Sequence, residues 1–179
     1  MGLIEWRIRH GDILDTEADA LVCSANVQLN LSGGVGGAIL LRHGDAMQRE
    51  LRAWLAARRR HCVEPGTVVR VGPGGTAFRD VFHAVAIDAF YQTTPELLAS
   101  TLERALRMCA GVGARRVALT ALATGYGRYP MGRFAEAVRG LMAKTFPPVE
   151  SVEIRLQNEL DVDTLRSALF GAVGEADHG

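Results

Sequence analysis

The chain has 179 residues, with 20 Lys+Arg against 20 Asp+Glu and a formal net charge of zero. That length suits one domain, residues 1–179, with a substantial core. The balanced charge argues against a general nucleic-acid or membrane-surface binder, so neither a nucleic acid duplex nor a membrane is an expected partner, while leaving room for a local basic patch. The opening MGLIEWRIRHGD has no basic segment leading into a long apolar run, so no secretory leader is expected, and Trp6 breaks a myristoylation pattern. No apolar run approaches membrane-spanning length. Cys23, Cys62 and Cys109 are far apart and odd in number, which fits reduced thiols and a cytoplasmic setting. They form no spaced ligand set with His10, His43, His61, His83 or His178, so neither a metal nor a cofactor is expected.

Strand-like and helix-like patterns alternate along the chain. LIEWRIRH (3–10) alternates apolar and polar residues as a half-exposed edge strand does, and ADALVCSA (18–25) is a short apolar run suited to a central strand. A glycine-rich loop then opens a helix that breaks at Gly44-Asp45, with Asp45 as the expected cap of a second helix. That helix ends at the basic run Arg58-Arg59-Arg60, read as a solvated C-terminus favoured by the helix dipole. GTVVRVGP (66–73) and DVFHAVAI (80–87) read as strands joined by the turn PGGT. A helix follows over 93–113, with a Thr cap and Pro95 in its first turn. The remaining pattern is a strand at 114–122, a helix over about 131–145, a strand at 149–156, a helix at 161–170 and a turn-like tail. Such alternation implies helices on both faces of a largely parallel sheet.

Two loops stand out. Between Asn30 and Gly37, four glycines (Gly33, Gly34, Gly36 and Gly37) lie at the mouth of a helix, where bare amides and the helix dipole favour an anion. ATGYGRYP (123–130) offers the Thr124 hydroxyl between open amides at Gly125 and Gly127. Both loops follow predicted central strands, so they can meet at the carboxyl edge of the sheet, where open α/β sheets bind ligands. Two opposed cradles suit a diphosphate. The first loop is neither a Walker loop nor the dinucleotide fingerprint, and a glycine-loop NTPase would lack its lysine and magnesium ligands.

Taken together, GDI (11–13), ADALVCSAN (18–26), LSGGVGGAI (31–39) and ALATGYGRYP (121–130) resemble the macrodomain family, which binds ADP-ribose and processes Appr-1''-p. The likeness runs from about residue 5 to 170 in matching element order. It implies an α/β fold, a three-layer α/β/α sandwich with a mixed, largely parallel central sheet, and a cleft for ADP-ribose or an ADP-ribosylated substrate. The match assigns Asp12 to the adenine amino group, with Ile13 beside it, and Asn26 to the distal ribose hydroxyls. It assigns Ser32, Gly33, Gly34, Val35 and Gly36 to the first diphosphate loop. The second loop would comprise Ala123, Thr124, Gly125, Tyr126, Gly127 and Arg128.

Departures from the family pattern bear on catalysis. Cys23 replaces an asparagine often placed near the cleft, and Gly36 stands where one hydrolytic subgroup carries an aspartate. Gly127 falls where an aromatic ring commonly covers the distal ribose, and Tyr126 comes one position early. That end of the cleft is therefore expected to be open, with Tyr126 pointing elsewhere. His43 reads as a helix end and His83 as a core histidine rather than a base. Nothing in the sequence orients Asp88. The resemblance implies binding of ADP-ribose or a closely related nucleotide. The alternative is a metal-free hydrolase that removes ADP-ribose from proteins or deacetylates O-acetyl-ADP-ribose, with Asn26 as its candidate catalytic residue.

Overall fold

The alternating pattern folds into a six-stranded sheet covered on both faces by helices, in a computed structural model that describes residues 2–171. The turn-like tail from Ala172 onward, with His178, lies outside the described residues. The strands are β1 (Glu5–His10), β2 (Ala20–Ser24), β3 (Val68–Val71), β4 (Asp80–Ala84), β5 (Arg116–Leu119) and β6 (Ser151–Leu156). They lie in the order β1-β6-β5-β2-β4-β3, all parallel except β3, which runs antiparallel to β4. The helices are α1 (Gly34–His43), α2 (Ala46–Ala57), α3 (Pro95–Gly111), α4 (Met131–Met142) and α5 (Glu159–Phe170). The three-layer sandwich with a mixed, mostly parallel sheet is therefore what the chain forms.

Position in the sheet explains the strand patterns. Residues 80–84 of β4 and 20–23 of β2 are all buried, as continuous apolar runs in covered parallel strands should be. At the edge, β1 alternates, with Trp6 and Ile8 inward. On one face Ile39 of α1 and Met47, Leu51 and Leu55 of α2 pack on Leu21, Val69 and Val81. On the other, Leu98, Leu102, Phe134, Val138 and Leu165 from α3, α4 and α5 cover Val22, Phe82, Leu119 and Ile154. Among the described residues, no helix is long and apolar enough to cross a membrane.

The Thr94 cap of α3 forms as expected, its hydroxyl oxygen accepting the Leu97 amide at 3.2 Å with Pro95 in the first turn. Asp45 holds the N-cap position of α2, but its side chain makes no cap bond and pairs with Arg49 instead. The last helix starts at Glu159, two residues before the expected 161, because the Asn158 side chain accepts the Leu160 amide at 2.9 Å. The strands are shorter than their apolar runs, since residues 85–87 and 120–122 leave the ladder as buried loop segments.

One buried carboxylate ties the antiparallel edge to the sheet. Asp80, at the start of β4, accepts from Arg70 Nε at 2.8 Å and from Arg79 Nε at 2.9 Å while its side chain is only 4% exposed. Burial alone would raise its pKa, but the two guanidinium hydrogen bonds hold the carboxyl below its ordinary value. Asp80→Ala should destabilise the fold by about 2 kcal/mol, or roughly 4–8 °C in melting temperature. Because the native pKa is depressed, this contribution is present above about pH 4 and disappears as pH falls through the native value. Melting curves of both proteins at neutral and acidic pH should therefore converge on acidification.

Candidate functional site

Strands β2, β4, β5 and β6 run in the same direction, so their carboxyl ends share one edge of the sheet. The chain leaving them walls a cleft of about 470 Å³. The first wall is built from 25–36. There Asn26 closes a turn on Asn30, donating through Nδ2 to its carbonyl at 3.0 Å and accepting its amide through Oδ1 at 3.1 Å. Buried Gln48 of α2 clamps the same segment to the body, accepting from Leu31 N at 2.7 Å and donating to Leu29 O at 3.1 Å. The loop then turns through Gly33 and Gly34, with φ of 57° and 49°, directly into α1. Amides in this first turn lack an intrahelical partner, and Ser32, Gly33, Gly34, Val35 and Gly36 all line the cleft there. Gly36 has a packing reason as well, since a Cβ would lie 3.1 Å from Leu31 Cα. An aspartate at that position would displace the loop.

The second wall winds around one carbonyl. Ala123, with φ 67°, receives the Tyr129 amide at 3.1 Å, and a Cβ on Gly127 would lie 2.5 Å from the Ala123 oxygen and 3.2 Å from Tyr91 O. Gly127 is therefore a close-approach glycine that leaves no room for a ring. Ala123, Thr124, Gly125, Tyr126 and Gly127 line the cleft, but the Thr124 hydroxyl donates to Ala121 O at 2.8 Å and so holds its own turn. Arg128, with φ 48°, stands outside the wall.

Tyr126 lines the cleft rather than pointing away from it, as its early position in the motif leads one to expect. Its ring lies over Gly33, where a Cβ would sit 2.1 Å from the phenol oxygen, so the two glycine-bearing loops touch. Tyr91 stands beside it at the cleft wall, ring centroids 6.1 Å apart. Tyr91 went unnoticed in the sequence, although it sits just past the carboxyl end of β4, where the parallel-sheet rule looks for ligand contacts. Asp88 turns away from the ligand space into its own loop, accepting the amides of Phe90 at 2.8 Å and Gln92 at 2.9 Å.

At the other end, Gly11 and Ile13 line the cleft while Asp12 stands just outside it. The Asp12 carboxylate accepts the Leu14 amide through Oδ1 at 2.9 Å and pairs with Arg42 of α1 through Oδ2 at 2.5 Å. Arg155 and Gln157, at the end of β6, add polar groups to the same wall and were also missed. Among the described residues, no carboxylate lines the cleft. Among the described residues no cluster of three or more His, Cys, Asp or Glu could hold a metal.

His83 is at once a core residue and a cleft-bordering one. It is fully buried on β4, with Nδ1 3.4 Å from Cys23 Sγ and Nε2 without a partner. Burial pushes its pKa down to about 4 and that of the Cys23 thiol up to about 12. At neutral pH both are uncharged, so neither an imidazolium nor a thiolate is present beside the cleft.

Comparison with known proteins places this geometry. The Macro domain family model matches residues 22–138. A macro domain-containing protein of Streptomyces nogalater is 38% identical over 163 residues, covering 90% of each chain. Among solved structures, a Trypanosoma brucei macrodomain in complex with ADP-ribose superposes with a TM-score of 0.80 at 20% identity, over 92% of this chain and 69% of its own. The Oceanobacillus iheyensis macrodomain with ADP gives 0.82 at 22% identity, over 90% of this chain and 88% of its own.

The His83 environment sets a pH dependence. The native imidazole stays neutral down to about 4, whereas the unfolded one takes a proton near pH 6.5. Stability should therefore fall as pH drops from about 6.5 to about 4, by about 3 kcal/mol in all. Urea unfolding over that range checks the slope, and His83→Gln should flatten it.

Proposed function

The chain belongs to the macrodomain family, and on that premise we propose that its cleft binds ADP-ribose or a closely related nucleotide. The observation that carries the reading is the contact of Tyr126 with Gly33 across the mouth of α1. It brings two runs of glycine-bearing backbone together at a helix N-terminus, which favours an anion held from both sides. In this reading the diphosphate lies against Ser32, Gly33, Gly34, Val35 and Gly36 on one side. Ala123, Thr124, Gly125, Tyr126 and Gly127 face it from the other. The ligands of the two macrodomain neighbours, ADP-ribose and ADP, support the reading.

The adenine would lie beside Ile13. Asp12 already accepts two hydrogen bonds, yet a carboxylate has about four acceptor sites, so about two remain, enough for the adenine amino group. The distal ribose would lie between Asn26 and the Tyr91–Tyr126 pair. The Asn26 carboxamide uses one donor and one acceptor on Asn30, which leaves one of each for ribose hydroxyls. The whole span 1–179 acts as one binding domain here, and the unpaired thiols Cys23, Cys62 and Cys109 favour a reducing, cytoplasmic setting.

Binding is better supported than hydrolysis. With no carboxylate in the wall among the described residues and His83 neutral and buried, the described cleft offers no general base. Hydrolysis of an ADP-ribosyl ester would depend on Asn26 and the loops orienting a water, with the substrate's own phosphate as base.

Calorimetric titration should give ADP-ribose an affinity about tenfold or more above AMP, which cannot span both loops. Equal affinities, or no binding of either, would sink the reading. Gly34→Glu is the sharper variant, because a Cβ there meets nothing within 4 Å although φ is +49°. Strain of about 1 kcal/mol should lower melting by roughly 2–4 °C, while bulk and negative charge abolish binding. A folded variant that still binds removes the phosphate from this loop. Asp12→Asn keeps an oxygen for Leu14 but turns an amide toward the adenine, and should weaken ADP-ribose by about 10–100-fold. Incubation with mono-ADP-ribosylated protein should release little ADP-ribose, and repeated turnover within minutes would establish the hydrolase instead.

A further inference from the structure

His83 borders the cleft from inside the sheet, fully buried on β4. That strand is paired on both sides, so the residue has Cys23 of β2 opposite it on one flank and Val69 of β3 on the other. Side chains alternate along a strand, and the ring therefore shares its face with Val81 and Val85. Leu29 and Leu31 of the first loop belong to the same layer. Of these neighbours only Cys23 carries a polar side-chain atom, and its Sγ lies 3.4 Å from Nδ1. Among the described residues, no protein group partners Nε2.

Such an arrangement is costly. A buried ring nitrogen without a hydrogen bond loses the water it had in the unfolded chain, and apolar neighbours return nothing. A phenylalanine would fill the same layer without that loss. Nearly all buried polar groups in folded proteins are paired, so an orphan at the floor of a ligand cleft points to the ligand as its partner.

Cys23 decides which nitrogen carries the proton. Burial keeps its thiol protonated, with a pKa pushed up to about 12, and keeps the imidazole neutral. A neutral imidazole has one donor nitrogen and one acceptor nitrogen, and a thiol sulfur is a weak acceptor. The favoured arrangement has the S–H donating to Nδ1, which leaves the ring proton on Nε2. The two nitrogens diverge around the ring, so that proton is turned away from Cys23.

We infer that His83 is a ligand contact whose neutral Nε2–H donates to an oxygen of the bound ADP-ribosyl group, with Cys23 as the positioning residue that keeps the proton there. The inference rests on the proposed function, since the acceptor belongs to the ligand. In that reading the diphosphate and the distal ribose both lie along the first loop, whose Leu29 and Leu31 share the ring's layer. A neutral donor suits this floor, because it meets a phosphate or hydroxyl oxygen without burying a second charge. ADP lacks the distal ribose, so comparing it with ADP-ribose separates the two acceptors.

The test observes the histidine ring nitrogens of the full chain, labelled with nitrogen-15, by NMR, with the His83 signals identified by their loss in His83→Gln. The free ring should carry its proton on Nε2. Saturating ADP-ribose should move the Nε2 signal far more than the Nδ1 signal, and ADP should do the same if the acceptor is a phosphate. Cys23→Ala should mix the two tautomers and weaken ADP-ribose binding, while Cys23→Ser, which keeps a donor, should restore both. His83→Phe should weaken ADP-ribose by about tenfold with the melting temperature at neutral pH unchanged or raised, which a merely structural histidine does not predict. His83→Gln keeps an amide N–H near the place of Nε2 and should recover most of that affinity.

The inference is overturned if the free ring carries its proton on Nδ1, or if the Nε2 signal is the same with and without saturating ligand. It is equally overturned if adenosine alone reproduces the shift, or if folded His83→Phe binds ADP-ribose as the native chain does. Should His83→Phe fail to fold, the nitrogen signals of the native chain decide. Calorimetry keeps the two readings apart: binding with an unmoved Nε2 signal strikes this contact alone, whereas no binding of ADP-ribose or ADP strikes the cleft reading and this contact with it.

Discussion

Strands β2 and β5 pair in parallel at the middle of the sheet, from Ala20 against Val117 to Val22 against Leu119. Parallel neighbours end at the same edge, so the segments that follow them must diverge from adjacent points. One runs to α1 on one face of the sheet, and the other to α4 on the opposite face. A crevice opens between chains that separate in this way, which is why such positions hold ligands in open α/β sheets. The contact of Tyr126 with Gly33, the clamp of Gln48 on the first loop and the turn around the Ala123 carbonyl all serve to hold the two sides of that crevice in place.

The loop glycines do different physical jobs. Gly33 makes room for a tyrosine ring, Gly36 lets α1 sit on Leu31, and Gly127 lets the second loop close on Ala123. Gly34 alone among these four has open space where a side chain would project, and Gly125 of the second loop shares that openness, so at these two positions bare backbone faces the cleft without a packing reason. A run of glycines in sequence therefore marks a crowded crossing of backbones as much as a cradle for phosphate. The same crowding explains why no ring stands at 127 and why Tyr126 and Tyr91 occupy that end.

Charge in the cleft wall is sparse although the chain carries 20 Lys+Arg and 20 Asp+Glu. Arg155 lies in the wall paired with Glu153 at 2.6 Å, no carboxylate among the described residues lines it, and His83 and Cys23 beside it are held uncharged by burial. An anion entering between the two loops meets helix amides, and the Asp12 carboxylate at the other end of the cleft is paired with Arg42. Other acidic residues that balance the composition are paired away from the cleft, Asp80 with Arg70 and Arg79, and Glu150 with Arg115.

The order and type of the elements were legible in the sequence because burial on two faces demands unbroken apolar strands, while one-sided burial imposes alternation or helical periodicity. The family motifs were legible for the same local reason, since loop glycines and Asn26 are short-range features. The sequence could not show which groups beyond the motifs would reach the cleft. Tyr91, Arg155 and Gln157 are remote from the motif residues in sequence and arrive only through strand order and the loops that follow the strands. Nor could it show the partners of Asp12 and Asp45, since each carboxylate had more than one donor within reach. By itself the sequence determined the fold class and the family, because both rest on periodicity and local backbone chemistry. Only the tertiary structure decided where Tyr126 points and which groups meet the His83 ring, because those depend on how distant segments compete for the same space.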